Sequence, residues 1–453
     1  MLPISTWLQL ARVRSLRHER CLMSLQRQAF ALSVMHVVDV VQPLVVIPYA
    51  AWILGPEQFG KFVYALSVGA VAATLVDYGF HWTGQREAAA ARLDERALAR
   101  LLANITCAKS ALLLSVFILG LCTLQTLGLD RPLFLAALTT ATGNVLFPAW
   151  FFIGIEQPWR AALPATAARI VMLGAFVVLV RRPEDTVFAT ALQGGTPLLA
   201  AAMSAPYIAR LSGAGFRRVS VSSMCAQFRG GYRAFLYSVV ERIVTTAPLL
   251  MVTHFQGYVA AGQYSIAEKF VGATRPFFRV ISETFLPRIA YYARHAPEDG
   301  IFLFSKVCYT LIIGAGLSVF IYFAAPYVIL LLFGHAFAAA IPIVRLMSAI
   351  PVLLNANLLT STLYMFNFGH EKAWGYLVAL SLLVFFVFAW AGVTSGIQPV
   401  FAIPLALIAK ELSVLAVSGT YLLRHILSQT SPGSIAPLRL QKAAKSRPRS
   451  NPG

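Results

Sequence analysis

The chain has 453 residues, of which 58% are hydrophobic and only 12% are charged. Soluble domains average about 25% charged residues, so this composition excludes a protein whose surface is mostly in water. A formal net charge of +19 would suggest a nucleic-acid partner in a soluble protein, but here the basic residues stand in short connections between apolar runs. We therefore predict an all-α polytopic membrane protein with no nucleic-acid partner, because a membrane span must satisfy its own backbone hydrogen bonds.

Twelve apolar runs follow a basic amino-terminal tail at 1–28, each close to the roughly 20 residues that cross a bilayer. They lie at 29–53, 61–82, 105–127, 132–155, 161–180, 186–209, 232–254, 258–287, 304–325, 341–366, 373–393 and 400–423. The longest polar break divides the runs six and six. We predict an N-lobe at 29–209 (TM1–6), a basic cytoplasmic linker at 210–231, a C-lobe at 232–423 (TM7–12) and a basic, disordered tail at 424–453.

Lysine and arginine are concentrated in alternate connections. The connection at 83–109 contributes Arg86, Arg92, Arg96, Arg100 and Lys109 to one side. The opposite side holds only Lys61, Arg131, Arg181 and Arg182. Because positive residues stay on the cytoplasmic side of a membrane, both termini are predicted to be cytoplasmic.

A faint repeat supports the six-and-six division. Asp39 lies 21 residues before Gly60, and Glu241 lies 21 residues before Gly262. Six spans is an even number, so the two halves would share one orientation. The pattern predicts a parallel pseudo-repeat about an axis along the membrane normal.

Ionisable side chains inside spans are costly and rare, so each is a functional candidate. The eighth run, at 258–287, holds the densest set. At about 100° per residue, one stripe of this helix consists of Glu268, Gly272, Arg275, Arg279 and Glu283. Pro276 is expected to kink the helix within the stripe. Such a stripe is predicted to face a wet cavity or a protein partner.

The cavity is predicted to bind an anion. Arg275 and Arg279 are like charges one turn apart, and a bound diphosphate would relieve their repulsion, with Arg242 of the seventh run as a third partner. Carboxylates from several spans are predicted to line the same cavity or to couple transport to H⁺ or Na⁺. These are Asp39, Asp77, Glu241, Glu268 and Glu283. The alternative is that these charges form internal ion pairs.

Residues 86–104 have the pattern of an amphipathic cytoplasmic helix, in which Arg92, Arg96 and Arg100 form a stripe. With Arg86, they are predicted to contact lipid headgroups or the approaching substrate. The sequence has no phosphate loop, zinc-type histidine cluster or nucleophile elbow, and its five cysteines are scattered. We therefore predict a transporter rather than an enzyme, without a metal or an organic cofactor.

Three motifs resemble the Wzx-type polysaccharide flippases of the multidrug/oligosaccharidyl-lipid/polysaccharide superfamily. The first joins a proline-bearing helix, Leu54–Gly55 with Gly60, and an Asp-Tyr-Gly-Phe segment at 77–80 followed by Arg86. The second is "AWFFIGIEQ" at 149–157, and the third is "LLFGHAFAAAIPIVRLMS" at 331–348. Two positions depart from the family pattern: Trp52 stands where arginine is usual, and His81 where asparagine often stands.

This resemblance implies two six-helix lobes around a cationic cavity in a bacterial inner membrane. It implies that undecaprenyl-diphosphate-linked oligosaccharide moves from the cytoplasmic to the periplasmic leaflet by alternating access. A polysaccharide polymerase and chain-length machinery are the partners it suggests. A cation-coupled drug exporter of the same architecture is the alternative, and a membrane polymerase or acyltransferase is a third hypothesis.

Overall fold

The computed structural model describes residues 4–212 and 221–430. The backbone alone is described at 4–37, 39–40, 127, 211–212, 221, 294, 297–298, 371–372 and 425–430. The centre of the predicted linker and most of the predicted disordered tail lie outside the described residues. These two predictions, and the cytoplasmic placement of both termini, stay predictions.

Nearly all described residues are helical and none lies in a strand, which confirms the predicted all-α fold. The α-helices are α1 Ile4–Asp77, α2 Phe80–Ala90, α3 Glu95–Cys122, α4 Leu124–Leu127, α5 Arg131–Leu146, α6 Ala149–Gly154, α7 Trp159–Leu179, α8 Thr186–Gly194, α9 Thr196–Ser212, α10 Val221–Gly272, α11 Arg275–His295, α12 Pro297–Val307, α13 Thr310–Phe333, α14 Ala340–Met347, α15 Ile350–Asn357, α16 Glu371–Thr394 and α17 Pro399–Thr430. A π-helix, Leu358–Met365, continues α15, and short 3₁₀ turns stand at Pro183–Asp185 and His335–Phe337.

Helix α1 contains two predicted spans that fold back on each other at Gly55. This glycine has non-helical dihedral angles (φ 72°, ψ 172°). The Phe176 ring of α7 lies 6.1 Å from Tyr49 and 6.0 Å from Phe62, on either side of the break. In one straight helix those two residues would be about 20 Å apart. The chain therefore reverses at Gly55.

Helix α10 has an equivalent break at Gly257 (φ 85°, ψ −177°). Gly55 precedes Gly60 by five residues, and Gly257 precedes Gly262 by five, so the two breaks share the register of the predicted repeat. Before its break, α10 runs antiparallel to the second segment of α1.

Helices α1 and α10 cross in very close contact at Gly60. A Cβ atom built on Gly60 would lie only 1.8 Å from the backbone oxygen of Tyr258. The Tyr258 ring packs edge-on against Tyr64, with ring centroids 5.7 Å apart, and its hydroxyl donates to the Gly128 carbonyl. Only glycine allows this approach, as is common where helices associate in membranes.

Nine stretches of the described residues are long and apolar enough to cross a membrane. Val41–Asp77 and Ser222–Ala293 each hold two of the predicted spans. The predicted run at 186–209 is missing from the nine because α8 and α9, of 9 and 17 residues, are separated at Gly195. All twelve predicted runs are therefore helical over most of their length, and the chain is a multi-pass membrane protein.

The chain divides into two compact units. The first contains Met1–Ser265 and Leu330–Phe337, and the second contains Ile266–Ile329 and Ala338–Gly453. The predicted seventh span, 232–254, belongs to the first unit. The predicted boundary between two six-helix lobes at 210–231 is a different division of the chain, and it stays a prediction.

In the second unit, a buried polar cluster joins α15 to α17. Lys410 Nζ lies 2.7 Å from Glu411 Oε1, and the Asn357 side-chain amide donates to Glu411 Oε2 at 2.6 Å. Lys410 and Glu411, two charged residues inside the last apolar run, are thus paired with each other. Asn357 stands immediately before the π-helix, a helical variant that is often found near functional sites.

Candidate functional site

The first unit contains a polar cavity of about 410 Å³. Its lining comes from α1, α2, α5 and α10, and consists of Ala73, Thr74, Asp77, His81, Asn144, Ser238, Glu241, Arg242 and Thr245. Four of these nine side chains are ionisable. A cavity with this lining can accept water or a charged ligand, whereas the surrounding helices present apolar side chains outward.

The Asp-Tyr-Gly-Phe segment places two of the ionisable side chains. Helix α1 ends at Asp77, Tyr78 and Gly79 adopt positive φ angles (48° and 75°), and α2 begins at Phe80. A Cβ atom at Gly79 would lie 2.7 Å from the Cβ of Ala234 on α10, so this turn packs tightly. Its geometry brings the His81 ring into a hydrogen bond with Asp77 Oδ2.

Lys109 forms a group with Asp77 and His81. Its observed position corrects the prediction that it lies in a cytoplasmic connection. It lies inside α3, its side chain is 2% exposed, and its Nζ is 2.7 Å from Asp77 Oδ1. The same ammonium donates to Asn144 Oδ1 at 3.1 Å. A buried lysine needs such partners, because an uncompensated charge away from water is very unfavourable.

The seventh predicted span supplies Glu241 and Arg242 to the cavity. Arg242 Nε donates to Thr74 Oγ1 at 2.8 Å, which ties α10 to α1. Glu241 is exposed at the cavity. Asp77 of the second predicted span thus lines one cavity with these two residues of the seventh. The convergence of charges from the first, second, seventh and eighth spans stays a prediction. The Asp39 side chain lies outside the described residues.

The predicted stripe of the eighth span begins on one helix and continues on the next, and the kink expected at Pro276 is a complete helix break. Helix α10 ends at Gly272 and α11 starts at Arg275, which puts Pro276 in the first turn of a new helix rather than inside an old one. Proline is well suited to this position because its missing N–H has no helical partner there. Glu268 and Arg279 are therefore on different helices.

Each acid of that region has a basic neighbour. Glu268 Oε2 lies 3.6 Å from Lys269 Nζ, and Arg279 Nε lies 3.5 Å from Glu283 Oε1. Arg275, Arg279 and Glu283 are exposed and belong to the second unit, whereas Arg242 belongs to the first. A joint diphosphate site of the three arginines stays a proposal.

The predicted amphipathic helix at 86–104 is also interrupted. Helix α2 ends at Ala90, and the Asp94 carboxylate caps α3 by accepting the N–H groups of Arg96 and Ala97. Aspartate is a preferred helix N-cap, so this break was visible in the sequence. Arg92 lies in the turn and pairs with Glu156 at 2.6 Å. Arg86, Arg96 and Arg100 are exposed, as a headgroup-contacting role requires.

Residues 25–293 match the family described as "Polysaccharide biosynthesis protein". A protein of Escherichia coli (strain K12) named "Putative O-antigen transporter" is 21% identical over 373 residues, which cover 80% of this chain and 90% of that protein. A protein of the same description from Shigella dysenteriae is 18% identical over 371 residues, covering 81% and 92%.

Two solved structures share the fold. One is an inward-facing multidrug resistance MATE family transporter of the MOP superfamily, with a TM-score of 0.61 and 16% identity over 88% of this chain and 99% of that one. The other is the lipid II flippase MurJ in an inward closed conformation, with a TM-score of 0.61 and 13% identity over 85% and 87%. At these identities the likeness establishes the architecture.

Proposed function

Because the chain belongs to the polysaccharide biosynthesis protein family, we propose that it is a flippase for lipid-linked oligosaccharides. Its substrate would be an undecaprenyl-diphosphate-linked repeat unit, carried from the cytoplasmic to the periplasmic leaflet of a bacterial inner membrane by alternating access. The family match confirms the resemblance to Wzx-type flippases found in the sequence. It also agrees with the prediction of a transporter rather than an enzyme.

The observation that carries the proposal is a charged cavity within a lipid-facing helical bundle. A diphosphate is a hydrophilic anion that cannot cross hydrocarbon unaided, so its carrier needs a polar space with basic groups. The cavity of the first unit offers Arg242, whose guanidinium is only partly used by Thr74. Relatives named as O-antigen transporters and a neighbour described as a lipid II flippase support the same substrate class.

Ion coupling forms part of the proposal. Of the predicted coupling acids, Asp77 is paired with Lys109, whereas Glu241 is exposed at the cavity. Glu241 is therefore the better candidate to bind H⁺ or Na⁺ directly. Asp77 is better suited to hold the cavity wall together.

Deleting the gene tests the proposed function. Cells without it are expected to lose their surface polysaccharide and to accumulate lipid-linked repeat units, and the wild-type gene is expected to restore both. Unchanged polysaccharide without accumulation would refute the flippase. A gain in drug susceptibility in its place would support the drug exporter that shares this architecture.

A second prediction concerns the arginines of α11. The double variant Arg275→Gln, Arg279→Gln is expected to reduce surface polysaccharide at least about tenfold, because it removes two charged donors from the proposed diphosphate site. The matched control is Arg424→Gln, an exposed arginine near the end of α17, which should transport normally. Both proteins are quantified in the membrane by immunoblot. Full transport by the double variant would overturn the arginine assignment while leaving the flippase intact.

A further inference from the structure

His81 is the most exposed member of the group formed by Asp77, His81 and Lys109, and it lines the cavity together with Asp77. Its side chain is 45% exposed, against 10% for Asp77 and 2% for Lys109. Its ring is hydrogen-bonded to Asp77 and lines the cavity. The imidazole is therefore more accessible from the cavity than the Asp77 carboxylate.

Asp77 is a poor proton acceptor in this arrangement. Its Oδ1 faces the buried Lys109 ammonium at 2.7 Å, and Lys109 has Asn144 as its other side-chain partner. Protonating Asp77 would leave a buried ammonium without its counter-charge, which is strongly unfavourable. The carboxylate is held as an anion, and the proton-binding role passes to its other partner.

The charged groups that face His81 come from three neighbouring helices. Asp77 ends α1, Lys109 lies on α3, and Glu241 with Arg242 lies on α10. The neighbouring residue of α5 is the neutral Asn144. These charges cancel in pairs, so the described group is neutral when the imidazole is neutral and carries one positive charge when it is protonated. Protonation of His81 thus changes the net charge of this group of residues from zero to one positive charge.

We propose that His81 is a second proton-binding residue of this cavity, beside the coupling site proposed at Glu241, and that it takes up a proton when the cavity binds a diphosphate anion. The inference rests on the proposed function and adds a pH-dependent residue to it. Histidine is the side chain whose unperturbed pKa lies between pH 5 and 8, and here it stands on the cavity wall, hydrogen-bonded to a carboxylate. The binding of the proton and the binding of the anion are linked. The factor by which protonation raises the affinity for the anion equals the factor by which the bound anion raises the affinity for the proton.

The test uses the full-length protein purified in detergent and isothermal titration calorimetry at pH 5.5 and pH 7.5. Inorganic diphosphate and farnesyl diphosphate serve as probes, which separates a free anion from a lipid headgroup. The probes change their own protonation state in this range, and this affects every variant alike. For each protein we therefore take the ratio of its affinities at pH 5.5 and pH 7.5, and we compare the wild-type ratio with that of His81→Asn. Asparagine keeps a polar side chain that can donate to Asp77. His254→Asn, at an exposed histidine of α10 outside the cavity lining, is the matched control.

The wild type and His254→Asn are expected to gain about tenfold more affinity on acidification than His81→Asn, within the range typical of coupled sites. Proton uptake on binding, obtained by repeating the titration in buffers of different ionisation enthalpy, is expected to be smaller in His81→Asn than in the wild type and in His254→Asn. If the ratio of the affinities at the two pH values is the same in all three proteins, the role of His81 is overturned, but the proposed flippase function is not. No binding of either probe at either pH would contradict the diphosphate substrate itself.

Discussion

Replacing Lys109 with methionine is expected to destabilise the protein by about 3–5 kcal/mol, the range measured when one partner of a buried ion pair is removed. Asp77 would remain inside the bundle with its ammonium partner gone, since its side chain is 10% exposed and its other side-chain contact is His81. The measurement is thermal unfolding of the purified protein in detergent, followed by intrinsic fluorescence. Surface polysaccharide is expected to fall with the amount of folded protein.

A surface ion pair provides the control. Lys61 Nζ lies 3.1 Å from Glu57 Oε1, with side chains that are 28% and 62% exposed. Lys61→Met should therefore change stability by less than about 1 kcal/mol. The double variant Asp77→Asn, Lys109→Met removes both charges and is expected to recover more than half of the loss. A Lys109→Met protein as stable as Lys61→Met would show that the buried pair does not hold these helices together.

Gly60→Ala is expected to be the most damaging glycine-to-alanine change in the described part of the chain. The added Cβ would meet the Tyr258 carbonyl oxygen at 1.8 Å, and the atom it meets is backbone, which cannot rotate away. Either α10 must move away from α1 or the variant must not fold. Overpacking typically costs about 1–3 kcal/mol, and this contact is expected to reach the top of that range or exceed it. Thermal unfolding and the membrane level of the protein measure the effect.

Gly174→Ala is the matched control for that substitution. Gly174 lies within α7 with open space around the position of its Cβ, so alanine there should be neutral or stabilise the helix by up to about 1 kcal/mol. If Gly60→Ala unfolds at the same temperature as Gly174→Ala, the close crossing of α1 and α10 is absent from the folded protein.

The helices themselves are predictable because the physics of a bilayer leaves few alternatives. Each of the twelve apolar runs is helical, and the register of Asp39 and Gly60 against Glu241 and Gly262 anticipates two equivalent breaks at Gly55 and Gly257. Periodicity cannot show that the two glycine segments cross. That contact depends on the path of the chain between them.

Periodicity does not predict the helix break at 91–94, although the sequence contains its cause. At 273–274 Pro276 predicts a kink, but periodicity does not show that one helix ends there and another begins. Asp94 is an N-cap and Pro276 belongs to a first helical turn, but both fit equally into longer patterned helices. In each segment the regular spacing of the arginines predicts a longer helix than the cap or the proline allows. Where a cap or a proline conflicts with periodicity in such a chain, the local residue decides.

Lys109 escapes prediction for a different reason. It stands close to the start of an apolar run, at a depth where a lysine is easily assigned to the cytoplasmic side. Its role depends on Asp77, which is 32 residues earlier in the chain. The sequence does show that Asp77 and Lys109 are opposite charges inside neighbouring predicted spans. Pairing these two residues would have located the centre of the cavity wall.

The most direct test of the flippase is the leaflet in which its substrate resides. In cells that lack the polysaccharide polymerase, lipid-linked repeat units are labelled on intact spheroplasts with a membrane-impermeant lectin. With the wild-type gene, most repeat units are expected to be accessible from the periplasmic side. Without the gene, they are expected to be made in equal amount but to become accessible only after the membrane is opened. Equal accessibility in both strains would contradict the account.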